Sequence, residues 1–249
     1  MKKSDIDKGD WRLQTAIHLA EDWKSPWTGA ISPKGTRIAV VSNIQLTKKK
    51  LLTIPLPNAT AAMLNASANA YNNAKAIRAS SEIDKSIRHD VSFTSEKDAI
   101  DYMERMMESI VLAFSAIEAF ANESIPSDFV YARHKRSEIL LEAASKETIE
   151  RHVLIDEKLS QVLPEILSCN TPKGTRCWES YKLLKNVRDR IIHLKTEDRK
   201  SSGPEIDTVW KAIVTVPAPH LIAKELIDYF VKKMENKPQW HSRFLNTNN

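Results

Sequence analysis

The segment that decides the fold is residues 95–121, SEKDAIDYMERMMESIVLAFSAIEAFA. Its apolar side chains recur at alternate spacings of three and four residues, which places them along one stripe of an α-helix. Ser95 has the chemistry of a helix N-cap, and Glu96 and Asp98 follow in the first turn, where the helix dipole favours negative charge. Pro126 ends the pattern. We therefore predict one long helix whose buried seam consists of Ile100, Met103, Met107, Ile110, Phe114, Ile117 and Ala121.

The remainder of the chain after residue 58 also has helical periodicity. Further helices are predicted over 59–78, 137–145, 147–167, 178–195 and 220–236. The loops between them are short and polar, which favours antiparallel neighbours. We therefore predict a mainly α protein in which residues 59–245 form an antiparallel helical bundle.

Residues 1–58 differ from the rest of the chain in their residue pattern. Two short β-branched runs, 37–42 and 51–54, lie on either side of Lys48, Lys49 and Lys50. Such runs separated by a polar stretch predict a β-hairpin or two edge strands. This segment is therefore expected to be a small unit of some β character that precedes the bundle.

Composition narrows the class of protein. The chain of 249 residues has only 5 glycines, which disfavours tight-turn all-β folds and glycine-rich phosphate loops. Lysine and arginine exceed aspartate and glutamate by 37 to 32, a mild basic bias that permits a polyanionic partner. Cys169 and Cys177 are too few for a disulfide framework or a paired-cysteine zinc site and are expected to be reduced thiols. With no apolar run of about 18 residues and no apolar leader, a cytoplasmic protein without a membrane partner is expected.

The candidate catalytic residues lie near the end of the helix predicted over 178–195. The stretch 186–193, NVRDRIIH, brings a permanently charged arginine, Arg188, and a titratable histidine, His193, within five residues. His89, His134 and His152 each follow an arginine directly and are interpreted as surface residues. Arg12 and His18 form a similar pair six residues apart, but Leu13 replaces the polar residue that follows Arg188, and this pair is not embedded in a comparable helix.

This stretch resembles the signature helix of the HEPN family of helical ribonucleases. The family motif is an arginine, a polar residue, several further residues and a histidine preceded by aliphatics; Arg188, Asp189, the pair at 191–192 and His193 match it. Residues 115–123, SAIEAFANE, resemble the long helix of many members. The resemblance implies an HEPN-like bundle that acts as a homodimer, with a toxin or anti-phage role and an antitoxin or other regulatory partner.

The motif has a definite chemistry. Cleavage of RNA by its own 2′-hydroxyl needs a base, an acid for the leaving 5′-oxygen and positive charge for the transition state. Histidine serves as base or acid near neutrality, and arginine grips phosphate oxygens. This scheme requires no metal or cofactor. Arg188 and His193 stand roughly 140° apart on an ideal helix, so a cleft shared by two copies would place them better.

Supporting residues are expected around this pair. Asp189 is the third catalytic candidate and is expected either to orient His193 or Arg188 or to make a plain salt bridge. Glu118 and Asn122, four residues apart and off the apolar seam, are expected to face the cleft, with polar packing as the alternative. RNA contacts are expected from Lys48, Lys49, Lys50 and Arg190, with a solvated turn as the favoured alternative for the three lysines.

The sequence therefore predicts a metal-independent HEPN-type endoribonuclease. Two alternatives remain open: a catalytically silent HEPN-like subunit that senses RNA or a nucleotide or pairs with another protein, and an unrelated helical interaction module.

Overall fold

The computed structural model describes residues 10–14, 16–26, 28–81, 91–132, 143–200, 203 and 205–247. About 54% of the protein is helical, so the predicted mainly α class is confirmed. The chain divides into two compact units. The β-rich unit comprises the described parts of Met1–Ala62 and Lys237–Asn249, and the helical unit comprises those of Met63–Asn236.

The β-rich unit consists of three antiparallel strand pairs and a short C-terminal helix. The longest pair is a hairpin whose turn contains Lys48 and Lys49, as the sequence predicted, but its first strand begins at Val41. Arg37–Ala39 belongs to another pair. Trp11 packs on Phe244 of the helix, with ring centroids 5.6 Å apart. The elements are β1 (Ala16–His18) paired with β4 (Arg37–Ala39), β2 (Trp23–Lys24) with β3 (Ile31–Ser32), β5 (Val41–Thr47) with β6 (Lys50–Pro55), and α9 (His241–Thr247).

The two longest helices are α1 (Ala59–Ser80) and α2 (Glu96–Glu123). Ser95 caps α2 as predicted, because its side chain accepts a hydrogen bond from the backbone N–H of Asp98. The predicted seam holds from Ile110 to Ala121, whereas Ile100 in the first turn is 59% exposed. Two buried hydroxyls, Ser67 of α1 and Ser109 of α2, each donate to the other's backbone carbonyl, so their burial leaves no donor unsatisfied.

The described residues of 130–132 and 143–166 form only short elements. The helix predicted over 147–167 is interrupted at Val153 and Leu154 and then continues through a π-helical turn. Most of the helix predicted over 137–145 lies outside the described residues, and its last two residues form a strand instead. The elements are β7 (Val130–Tyr131) paired with β8 (Ala144–Ser145), α3 (Lys146–His152), α4 (Ile155–Glu157), the π-turn (Lys158–Val162) and α5 (Leu163–Ile166).

The core of the helical unit forms where α2 packs against three further helices, α6 (Arg176–Ile192), α7 (Val209–Thr215) and α8 (Pro219–Val231). Phe114 of α2 stacks on Tyr181 of α6, and Phe120 packs on Phe230 of α8. These rings are almost fully buried, so α2 and α6 are held in fixed register beside each other. No helix in the described parts of the chain has both the length and the apolar character to cross a bilayer.

Candidate functional site

Arg188 lies on α6 and faces α2. Its guanidinium carbon is 4.2 Å from the centre of the Phe114 ring, in a cation–π contact, and its side chain is 28% exposed. Thr175 caps α6 by accepting a hydrogen bond from the backbone N–H of Trp178. The packing of Phe114 on Tyr181 fixes the two helices, so the guanidinium has a defined position at the surface between them.

Two carboxylates hold the Arg188 guanidinium. Its Nη1 donates to Oδ1 of Asp189 at 2.8 Å, and its Nη2 lies 3.5 Å from Oε2 of Glu118 on α2. Lys185, one turn earlier, pairs with Oδ2 of Asp189 at 3.2 Å. Three of the sequence candidates, Arg188, Asp189 and Glu118, are therefore in one charged cluster.

His193 follows the last residue of α6. Its backbone N–H donates to the carbonyl of Asp189 at 3.0 Å, while its own φ of −122° and ψ of 65° leave the helix. The imidazole is exposed and has no hydrogen bond or ion pair within the described part of the chain. Of the roles open to the Asp189 carboxylate, the contacts therefore favour orienting Arg188 rather than the imidazole.

Asn122 joins this cluster through Lys158, a residue that sequence reasoning missed. Lys158 lies in the π-turn and is buried; its Nζ donates to Oδ1 of Asn122 at 2.8 Å and to the carbonyl of Glu150 at 2.9 Å. A lysine in a helical run is normally interpreted as solvated, and nothing in the sequence marks the π-turn that turns this one inward.

Burial changes the proton affinity of Glu118 and of Lys158. It raises the pKa of the half-buried Glu118 carboxyl, and the positive charges of Arg188 and Lys158 offset this only in part. It lowers the pKa of the Lys158 ammonium, which Glu118 and Glu150 oppose. The cluster therefore contains a carboxyl that accepts a proton more readily than an exposed one.

A second charged group lies earlier on α6. Asp156 of α4 accepts hydrogen bonds from the hydroxyl of Tyr181 and, at 2.9 Å, from Nζ of Lys182. Burial raises the pKa of Asp156, but these hydrogen bonds outweigh it and keep the pKa below the usual range. Lys185 lies 4.0 Å from Asp156 and also pairs with Asp189, so it links this group to the Arg188 cluster.

Arg190 makes a different set of contacts. Its Nε and Nη2 form a two-pronged pair with the buried carboxylate of Asp198, at 3.0 and 2.8 Å. Nη2 also donates to the carbonyl of Asp207. These bonds tie the end of α6 to the loop before α7, which favours a structural role over the RNA contact expected from the sequence.

Lys48, Lys49 and Lys50 belong to the β-rich unit, at and just after the turn between β5 and β6, and all three are exposed. Their surroundings carry an unusual charge pattern: the sequence has no aspartate or glutamate between Asp22 and Glu82. With about an eighth of all residues acidic, an acid-free run of this length is a strong bias. It gives the hairpin a positive potential that its neighbours in sequence do not reduce.

Neither His18 nor His152 extends the site. His18 lies in β1 and Arg12 pairs with Asp10, so the second copy of the motif spacing is not on a helix. His152 is exposed at the end of α3, and His89 and His134 lie outside the described residues. Within the described residues, no group of three or more His, Cys, Asp or Glu side chains is placed to hold a metal ion.

The arrangement can fix an anion and exchange a proton. Arg188 can bind a phosphate oxygen by exchanging its longer contact to Glu118, and the exposed imidazole of His193 is free to meet a substrate. Comparison of the chain with protein-family models, with curated proteins and with solved structures gives no match.

Proposed function

We propose that the protein is a metal-independent endoribonuclease of the HEPN type that acts as a homodimer. The observation that carries this proposal is the pairing of an immobilised guanidinium on α6 with a free imidazole five residues later, just after the end of α6. Arg188 is held by Asp189, Glu118 and the Phe114 ring, whereas the imidazole of His193 has no hydrogen bond or ion pair in the described structure. A phosphate-binding cation and a proton-transferring group are the two parts that RNA transesterification requires.

In the proposed reaction, His193 of one copy takes the proton from the 2′-hydroxyl. The 2′-oxygen then attacks the adjacent phosphorus and the bond to the 5′-oxygen breaks. A second histidine, from the other copy, donates a proton to that leaving oxygen. Arg188 stabilises the charge on the non-bridging oxygens. The products are a 2′,3′-cyclic phosphate and a free 5′-hydroxyl.

The homodimer is proposed because one chain places its two groups poorly. The ideal helix separates Arg188 and His193 by roughly 140°, and His193 in addition leaves the helical path. A two-fold axis beside α6 would bring the arginine of one copy toward the histidine of the other.

The basic hairpin of the β-rich unit supports RNA as the substrate. Lys48, Lys49 and Lys50 are proposed to contact phosphates, because the acid-free sequence around them leaves their charge uncompensated. A toxin or anti-phage role, with an antitoxin or regulatory partner, is proposed on the family resemblance alone.

A silent RNA-sensing or scaffold subunit is the second candidate function. It is favoured by one observation: Arg188 already has two carboxylate partners, which reduce its charge toward a substrate phosphate. The two functions differ in whether RNA is cut.

The deciding experiment incubates purified full-length protein with RNA in excess chelator. We expect products ending in 2′,3′-cyclic phosphate, and no cleavage of the matching DNA, which lacks the 2′-hydroxyl. His193→Ala is expected to lower the rate at least about 100-fold, the typical contribution of a general acid or base, and Arg188→Ala similarly, with the circular-dichroism spectrum unchanged.

His152→Ala is the matched control, since His152 is also an exposed histidine at the end of a helix. It should cleave like the unaltered protein. Full activity of His193→Ala, efficient cutting of DNA, or loss of RNA cleavage in chelator would refute the proposed reaction. Binding of RNA without any cleavage would favour the silent subunit.

A further inference from the structure

At the opposite end of α6 from Arg188, two adjoining hollows form a groove. They have volumes of about 330 and 350 Å³ and share Tyr229 and Lys233 of the α8 region as their common wall. Since Arg176 and Arg188 are twelve residues apart on a helix that rises 1.5 Å per residue, the groove lies about 18 Å along α6 from Arg188. It is therefore separate from the charged cluster described above.

The charge of this groove is positive and uncompensated. Arg176, Lys232 and Lys233 line it, against a single carboxylate, Glu225. None of these three cations forms an ion pair with a described residue. All three are exposed, so their charges are available to an anion in the groove.

The groove also has an aromatic wall. The half-buried Tyr229 packs edge-on against Phe230, with ring centroids 5.2 Å apart, and its hydroxyl donates to the carbonyl of Asn170 at 2.8 Å. Its ring is thereby fixed between the two hollows. A fixed aromatic ring among cations suits a chain that alternates flat bases with phosphates.

The loop on the far side of the groove is fixed as well. Ser168 adopts a left-handed backbone conformation, with φ of 47°, which closes the end of α5. The backbone N–H of Cys169 then donates to the carbonyl of Pro164 at 3.0 Å. With Tyr229 bonded to Asn170, the groove has two fixed walls, and a ligand that enters it orders little further structure.

We infer that this groove is an exosite for single-stranded RNA, that is, a binding site for a part of the substrate remote from the bond that is cut. Lys232, Lys233 and Arg176 would contact phosphates, and a base would stack on Tyr229. The inference rests on the proposal that RNA is the substrate of the Arg188 and His193 site. It adds a length requirement, because only an RNA long enough to cover about 18 Å reaches both places.

The test measures binding of a fluorescein-labelled 12-nucleotide uridine RNA to the full-length protein by anisotropy, in chelator and across a range of salt concentrations. The His193→Ala protein is measured in parallel, so that binding is followed without cleavage. We expect Lys232→Ala/Lys233→Ala to weaken binding about tenfold. Losing two phosphate contacts should also make the slope of log affinity against log salt shallower by about 1.4.

Two matched controls separate the exosite from general effects. Lys97→Ala/Lys211→Ala removes the same charge from the exposed surfaces of α2 and α7 and should leave the affinity within about twofold. Tyr229→Phe loses the hydrogen bond to Asn170 but keeps the ring, so it should bind normally, whereas Tyr229→Ala should bind about tenfold more weakly.

Cleavage kinetics provide the second readout. The lysine pair variant should raise KM for a long RNA with kcat unchanged, and it should cut a dinucleotide like the unaltered protein. If the variants weaken RNA binding but no RNA is ever cut, the ribonuclease proposal fails and the groove is an RNA-binding site without a role in cleavage. If cleavage depends on His193 while the lysine pair and the Tyr229 ring leave affinity and salt slope unchanged, the exosite is overturned.

Discussion

Glu118 is one of the two carboxylates that limit the charge of Arg188. Its carboxylate lies 3.5 Å from the guanidinium and competes with a substrate phosphate for the same donors. Glu118→Gln keeps the shape and a hydrogen-bond acceptor but removes the negative charge. We therefore expect this variant to bind RNA a few-fold more tightly in the anisotropy assay at pH 7.

Acidification should have the same effect on the unaltered protein. Because burial raises the pKa of Glu118, the carboxyl is neutralised at a higher pH than an exposed glutamate as the pH falls. The gain in RNA affinity on acidification should therefore be smaller in Glu118→Gln. An unchanged or weaker affinity of Glu118→Gln at pH 7 would mean that the carboxylate positions Arg188 rather than competing for it.

His220 makes the stability of the protein depend on pH. It is 6% exposed, and its Nδ1 is buried with no partner among the described atoms. Burial, and then the charge of Lys75, lower its pKa from 6.5 to about 4. The unfolded chain therefore binds a proton between these values that the folded protein does not, and stability falls as the pH drops from above 6.5 toward 4.

At 1.36 kcal/mol per pKa unit, the loss between pH 7 and pH 4.5 is roughly 2 kcal/mol for this residue. His220→Phe keeps a ring against Tyr71, whose centroid lies 5.4 Å from that of the imidazole, and removes the titrating group. Urea denaturation at the two pH values should show a smaller loss for this variant. Equal losses in both proteins would contradict the assignment.

Individual site residues were predictable where helix geometry decides their place. Glu118 and Asn122 are four apart on a strongly periodic helix, so their shared face follows from the sequence, and packing on α6 brings that face to Arg188. Lys158 was not predictable, because its burial depends on a π-turn that no residue pattern specifies. The role of Arg190 likewise depends on Asp198, eight residues away across an irregular loop.

At the scale of elements, the long periodic segments were predicted and the short ones were not. Both α2 and α6 have N-caps and continuous apolar stripes, so their helical structure can be predicted from their own residues. By contrast, α7 has seven residues, too few for a periodic signal, and its position is set by contacts from elsewhere in the chain. The sequence pattern likewise placed β4 and the start of β5 in one β-branched run. In the structure they are separate strands, because β4 pairs with β1 and β5 pairs with β6.

The contact that fixes α7 is the carboxylate of Asp198. It accepts from Arg190 of α6 and from the backbone N–H groups of Val209 and Lys195, and the backbone carbonyl of Asp198 accepts from the indole of Trp210. Burial raises the pKa of Asp198, but the hydrogen bonds from Arg190 and the two N–H groups outweigh it and hold the pKa below its usual range.

We expect Asp198→Asn and Arg190→Ala each to lower Tm by several degrees. Arg190→Ala leaves the buried carboxylate of Asp198 without its cation, and Asp198→Asn removes the charge with which the guanidinium pairs. The double variant should lose less than the two single losses added together, since the second change removes an interaction already broken. Thermal unfolding measures all three proteins. Arg190→Ala should bind RNA with an unchanged salt slope; a shallower slope would restore Arg190 as a phosphate contact.

At the scale of the whole molecule, the two units contain different parts of the proposed RNA-binding and cleavage sites. The helical unit holds Arg188, His193 and the groove at Tyr229, while the β-rich unit holds the basic hairpin. The acid-free run covers the hairpin and α1 and ends before α2, so it extends from the β-rich unit into the first helix of the helical unit. An electrostatic contact by the hairpin needs no fixed geometry, whereas the chemistry of Arg188 and His193 does.

That geometry leads to a prediction about the assembly. If each cleavage site takes its arginine from one copy and its histidine from the other, mixing Arg188→Ala protein with His193→Ala protein creates heterodimers that contain one intact arginine and one intact histidine across the two-fold axis. Random exchange makes about half of the dimers mixed. Each mixed dimer holds one arginine and histidine pair but lacks the second histidine that acts as the acid, so the mixture should recover well under a quarter of the unaltered activity. Cleavage is measured after the two variants have been unfolded and refolded together. Neither variant refolded alone should cut RNA. The site is not shared between copies if the mixture is no more active than its components. The same conclusion follows if the protein cleaves RNA as a monomer at nanomolar concentration.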